Sequence, residues 1–150
     1  MSRGPQVLLV DDNPGDVRLF REAIGRAGLA YALHVAGDGE EAIAFLHPPQ
    51  GAARRPDLII LDLNLPRLSG RELLEHLLCC PDHRRSAVAV LTSSAGEREA
   101  LEDAGLSPAA YFVKPDGFGG LVEVVRAIEE FRRRRELAEG REPPDGPGRP

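Results

Sequence analysis

Five short apolar runs recur along the chain, at 7–10 (VLLV), 31–36 (YALHVA), 58–61 (LIIL), 87–91 (AVAVL) and 110–113 (AYFV). The runs at 7–10, 58–61 and 87–91 contain no polar residue, which predicts strands buried on both faces in a helix-covered parallel sheet. The run at 31–36 half-alternates and reads as a strand nearer an edge. Between the runs the apolar residues shift to helical spacing. Asn13 is placed to cap a helix with Pro14 at its first position, where a missing N–H costs little. Val17, Phe20, Ile24 and Ala27 line one side of that helix, and Gly28 ends it. Asp38 and Gly39 lead into a second helix through Ala42, Ile43 and Leu46. With three prolines and a glycine, 47–56 (HPPQGAARRP) is predicted to be a surface loop.

Ser69 with Glu72, and Ser94 with Glu97, have capping-box spacing and mark the starts of the third and fourth helices. Leu73, Leu74, Leu77 and Leu78 give the third an apolar face. The fourth offers little besides Ala100, Leu101 and Ala104, so it is weakly anchored and a candidate moving part. The last helix packs through Leu121, Val124, Val125, Ile128 and Phe131, then continues as RRRRELAEG. Glu129 and Glu130 stand four residues before Arg133 and Arg134, in the favourable order. Residues 140–150, rich in proline and glycine, are predicted to be a disordered tail. Five strands alternating with five helices predict one doubly wound α/β domain over 1–139, with the spatial order of its strands left open.

Composition changes this picture little. The 150 residues suit a single core, and a net charge of −5 argues against general nucleic-acid binding. The arginines at 132–135 are flanked by glutamates, and such a charge run is equally a solvated, salt-bridged face. Cys79 and Cys80 are adjacent, with no other cysteine to pair with, and His34, His47, His76 and His83 lack the spacing of a metal motif. No apolar run is long enough to cross a membrane and MSRGPQ is too short and polar for a signal peptide, so the expectation is a cytoplasmic protein.

The ends of the strands matter more. In a parallel sheet Asp11 and Asp12, Asp62, Thr92 and Lys114 would all reach one rim, where ligands gather. Clustered carboxylates repel and desolvate one another unless a cation is bound, and Mg2+ suits a few carboxylates plus water. A carboxylate is also a nucleophile toward phosphorus, and such a transfer needs charge neutralisation and positioning above all. Taken singly, each residue has a plain structural explanation, Asp12 or Asp16 as helix-start acids among them. Taken together, they single out Asp62.

These motifs, VLLVDDNPGD, LIILDLNLP with Gly70 following, VAVLTSS and AYFVKP, resemble the response-regulator receiver domain of two-component signalling. The resemblance spans 7–115 and implies a flavodoxin-like (βα)5 fold whose Asp62 takes a phosphoryl group from a kinase histidine. It implies Mg2+ held by Asp12 directly, Asp11 largely through water, Asp62 and the main-chain carbonyl of Asn64. Thr92 and Lys114 would contact the phosphoryl group, and the Lys114–Pro115 peptide would be cis. Tyr111 stands at the family's switch position, where Thr92 would draw inward and let the ring follow; it is equally readable as an ordinary half-buried strand residue. The opening DDNPGDVRLFREAI, the 47–56 loop and the lack of an output domain are similar to single-domain regulators paired with phytochrome-type histidine kinases. Such regulators tend to dimerise, here through the fourth helix, fifth strand and extended last helix.

The expected function is therefore a phosphorylation-switched binding module, not an enzyme in its own right, acting by docking or as a phosphate sink or phosphorylation-independent interaction module. An aspartyl-nucleophile hydrolase would want a second carboxylate two residues after Asp62, where Asn64 stands. A flavodoxin-like nucleotide or flavin binder would want a glycine- or hydroxyl-rich loop where DDNPGD is acidic.

Overall fold

The computed structural model describes residues 4–52, 54–63, 70–79, 86–92, 96–103, 105–106 and 110–140. Its elements alternate as β1 (Gln6–Val10), α1 (Pro14–Arg26), β2 (Ala32–Ala36), α2 (Gly39–Leu46), β3 (Leu58–Leu61), α3 (Gly70–Cys79), β4 (Ala87–Thr92), α4 (Glu97–Asp103), β5 (Ala110–Val113) and α5 (Phe118–Gly140). All four strand pairings are parallel, in the order β2-β1-β3-β4-β5. This is the doubly wound, flavodoxin-like order. The chain steps outward from β1 to β2, then crosses back to β3, so its direction reverses between β1 and β3.

Alternation along each strand divides the core in two. Val7 and Leu9 of β1, Leu58 and Ile60 of β3 and Ala89 and Leu91 of β4 meet Phe20 and Ile24 of α1 and Val125 and Ile128 of α5. Leu8, Ile59 and Val88 face the other way, onto Leu46 of α2, Leu73, Leu74 and Leu77 of α3 and Leu101 of α4. No residue of β3 exceeds 0% exposure, as its uninterrupted apolar run requires.

Local signals act as expected where they are described. Asn13 Oδ1 accepts the N–H groups of Gly15 and Asp16 at 2.8 and 3.1 Å, with Pro14 opening α1. Gly28 adopts φ 77°, and the Leu29 N–H returns to the Ile24 carbonyl, closing the helix with a left-handed turn. Asp38 Oδ1 accepts the Glu41 N–H at 2.8 Å to start α2. Ser69 and Ser94 lie outside the described residues. In α4 Leu101 is buried whereas Ala100 is exposed, so among its described side chains Leu101 alone enters the core.

Past Phe131 α5 is the solvated, salt-bridged extension expected, with Arg133, Arg134, Glu136, Leu137 and Ala138 exposed, but Arg132 is buried. Glu130 does pair with Arg134 in solvent at 2.9 Å. Glu129, however, is gripped by Arg132, whose Nε and Nη2 each donate at 2.9 Å, while Arg133 is 3.9 Å away. Tyr31, just before β2, donates its hydroxyl to the same carboxylate at 2.6 Å. Burial alone would raise the Glu129 pKa, but the Arg132 and Tyr31 hydrogen bonds outweigh it and hold the carboxyl below its ordinary value. Among the described residues no helix is long and apolar enough to cross a membrane.

Candidate functional site

The reversal between β1 and β3 brings the two central strand ends together, and the ladder hydrogen bonds run one residue past each strand. The Asp11 N–H donates to Ala36, the Asp62 N–H to Val10 and the Lys114 N–H to Thr92, at 3.0, 3.0 and 2.7 Å. Backbone pairing thereby seats three of the predicted residues on one rim. Asp11 is further oriented by the Asn13 N–H, which donates to its Oδ1 at 2.9 Å. Asp11 and Asp62 are buried and Asp12 is exposed at the lip.

Lys114 is the hub of the site. Its Nζ lies 3.0 Å from Asp62 Oδ2, 3.3 Å from Asp11 Oδ2 and 3.0 Å from Asp16 Oδ2. Asp16 belongs to the constellation although its position in the first turn of α1 makes it look like an ordinary helix-start acid. Burial alone would lower the Lys114 pKa; hydrogen bonds to Asp16 and Asp62, then the charges of Asp62 and Asp11, more than reverse this and keep the ammonium protonated. For Asp11 burial is the largest influence, and it raises the carboxyl above its ordinary value although the Asn13 N–H and Lys114 oppose it.

Lys114 bonds the carboxylates of Asp11, Asp16 and Asp62, and that of Asp12 stands beside them, so among the described residues one ammonium serves an acidic cluster of four. Asp11, Asp12 and Asp62 each offer an oxygen, and these atoms lie within 4.8 Å of one another. An all-oxygen donor set of this charge and spacing fits a hard divalent cation, with water filling the remaining positions. A cleft of about 470 Å³ opens beside Asp11 and Asp12, between the start of α1 and Val35 and Gly37.

Thr92 is fully buried at the end of β4. It shares the face of Val90, two residues earlier, and Tyr111 of β5 packs against the same side of the sheet. Val90 pairs with Tyr111 and Thr92 with Val113, so hydroxyl and ring are neighbours on adjoining strands. Arg98 of α4 lies over the Tyr111 ring at 5.8 Å from its centroid, within cation–π range.

One expected feature is corrected. Among the described residues there is no cis peptide, so Lys114–Pro115 is trans, the form that X–Pro bonds ordinarily favour. The Lys114 N–H to Thr92 bond already aims the side chain inward, and the chain turns over Asp116 and Gly117 instead. Asn64, Ser93 and Ser94 lie outside the described residues.

Gly70 guards the backbone behind Asp62. A Cβ there would collide with Leu63 Cα and sit 2.7 Å from both the Asp62 and Leu63 carbonyl oxygens. These are main-chain atoms with no rotamer to yield. Gly70→Ala is expected to cost about 1–3 kcal/mol, the usual range for overpacking, read as a lowered denaturation midpoint in urea with an unchanged slope.

The family model for the response regulator receiver domain matches residues 7–126. The chain belongs to this family. It is 38% identical over 128 residues to response regulator Rcp1 of Synechocystis sp., a match covering 83% of this chain and 86% of that protein. Among solved structures, the phosphorylated cyanobacterial phytochrome response regulator RcpA superposes with a TM-score of 0.75 at 36% identity, over 85% of this chain and 93% of that one. The Mn2+-bound form of Rcp1 gives a TM-score of 0.73 at 36% identity, with the same coverages. The receiver domain described here thus stands among regulators of two-component signalling, its acidic rim at the point where the fold places ligands.

Proposed function

We propose that this receiver domain takes a phosphoryl group from the phosphohistidine of a sensor histidine kinase onto Asp62, in a Mg2+-dependent reaction. The observation that carries this reading is the Lys114 ammonium held between the buried Asp11 and Asp62 carboxylates. An Asp62 oxygen attacks phosphorus as the N–P bond breaks and the imidazole leaves, giving an aspartyl-phosphate. Lys114 neutralises charge on the phosphoryl oxygens, and the Thr92 hydroxyl donates to one of them. Asp11, Asp12 and Asp62, with the Asn64 carbonyl, would hold Mg2+, which supplies charge neutralisation at the transferred group.

Drawing Thr92 toward phosphate would free room for Tyr111 on the same face, at the expense of its contact with Arg98. The surface of α4, β5 and α5 would change with it, and the exposed Val113 and Leu137 suit that surface to a homodimer. The partner kinase is of the phytochrome type, a reading supported by the likeness to Rcp1 and RcpA. The domain is a switched phosphoacceptor rather than a hydrolase, because Asn64 offers no general acid. It would work in the cytoplasm beside its kinase.

Intact-mass spectrometry after incubation with acetyl phosphate and Mg2+ tests this. The expected result is a single phosphoryl adduct that EDTA abolishes. A protein that acquires the adduct equally well in EDTA would overturn the metal dependence, and one that never acquires it would overturn the phosphoacceptor reading.

A further inference from the structure

Helices in this fold run against the strands, so α2 and α3 end at the edge of the sheet opposite the acidic rim. There His47, the C-cap of α2, meets His76 in the last turn of α3. Their Nε2 atoms are 3.5 Å apart, their ring centroids 5.5 Å apart, and the ring planes perpendicular at 90°. Both rings are part-buried, and His47 is fixed in place by its N–H donating to the Ile43 carbonyl at 2.7 Å. A separation of 3.5 Å is long for a hydrogen bond between two nitrogens.

It is the spacing expected of two imidazoles on one metal ion. With metal–nitrogen bonds of about 2.0–2.1 Å and a near-tetrahedral angle, the two nitrogens fall about 3.3–3.5 Å apart. The setting favours a cation as well, because the carbonyl-rich ends of two helices converge there. We propose that His47 and His76 form a second metal site, for a divalent cation of the Zn2+, Ni2+ or Cu2+ class, that clips α2 to α3. Imidazole nitrogen selects these ions, whereas the carboxylate rim suits the harder Mg2+ and Mn2+, so the two sites sort metals by donor chemistry. Among the described residues His47 and His76 supply two nitrogen ligands to this site.

Isothermal titration of the full chain with Zn2+, in excess Mg2+, tests the proposal. His47→Gln and His76→Gln, which keep a polar side chain of similar size, are titrated alongside, with circular dichroism confirming that both are folded. The expected result is one Zn2+ per chain, weakened at least about tenfold in either variant, the least that loss of a direct ligand should cost. Zn2+ should also raise the melting temperature of the parent protein and not that of the variants. Unchanged Zn2+ affinity in folded variants would place the ion elsewhere, and a parent protein that shows neither binding heat nor a melting shift would remove the site altogether.

Discussion

Asp62→Asn is expected to abolish phosphoryl uptake completely while leaving the domain folded. The amide keeps the shape of the side chain and removes its nucleophilic charge, so intact mass should show no adduct after acetyl phosphate and Mg2+. Stability without metal should not fall. Burial, and after it the charge of Asp62, pushes the Asp11 carboxyl upward, so the substitution relieves one like-charge contact at the rim. Lys114 loses one partner and keeps two, Asp11 at 3.3 Å and Asp16 at 3.0 Å. The effect of Mg2+ should shrink in parallel. A ligand at 100 times its Kd stabilises by about 2.7 kcal/mol, and a rim short of one carboxylate would show much less at the same concentration. Thermal unfolding with and without Mg2+ reads both effects. An adduct that survives in Asp62→Asn would mean that the acceptor is another residue.

That Asp62 stands out in the sequence reflects how a parallel sheet writes itself into a chain. Strands covered on both faces are unbroken apolar runs, so the first polar residue after each run marks the rim. Asp11, Asp62, Thr92 and Lys114 are visible for this reason. Asp16 was hidden because an acid in a first helical turn has a sufficient local explanation, and only the reach of Lys114 from the end of β5 gives it another. The order β2-β1-β3-β4-β5 was equally hidden, since every strand is apolar enough to be central except β2. The cis peptide was an expectation from resemblance alone, with no residue pattern behind it, and the structure has the trans form. His47 and His76 lie 29 positions apart on different helices, so no spacing rule could pair them. The burial of Arg132 is hidden in a similar way: charge alone does not say which of four neighbouring side chains turns inward.

Arg132 is the most deeply buried of the run, and Arg132→Ala is expected to be the most destabilising of the substitutions considered, at about 3–5 kcal/mol. Its side chain is 10% exposed and that of Glu129 is 13% exposed, so truncation leaves a buried carboxylate with Tyr31 as its remaining donor among the hydrogen bonds described. For a domain of this size the loss corresponds to a melting temperature lower by roughly 10 °C. Arg134→Ala is the control. Its pair with Glu130 has the same 2.9 Å contact, but both side chains are more than half exposed, and the cost should be within about 0.5 kcal/mol. Acidification separates the two explanations of Arg132. Because the Glu129 pKa is depressed in the folded protein, its contribution is present above the ordinary value of 4.5 and is lost as pH falls through the folded value. Without Arg132, only the Tyr31 hydrogen bond and the Arg133 charge oppose burial, so the depression is smaller and protonation costs the variant less than the parent. The stability gap between parent and Arg132→Ala should therefore narrow below about pH 4.5. A gap that stays constant across that range would assign the effect to lost packing of the arginine stem rather than to its charge. The distinction bears on signalling, because this ion pair and Tyr31 fasten the middle of α5 to the start of β2. A helix held there can change its surface near Tyr111 without coming off the domain.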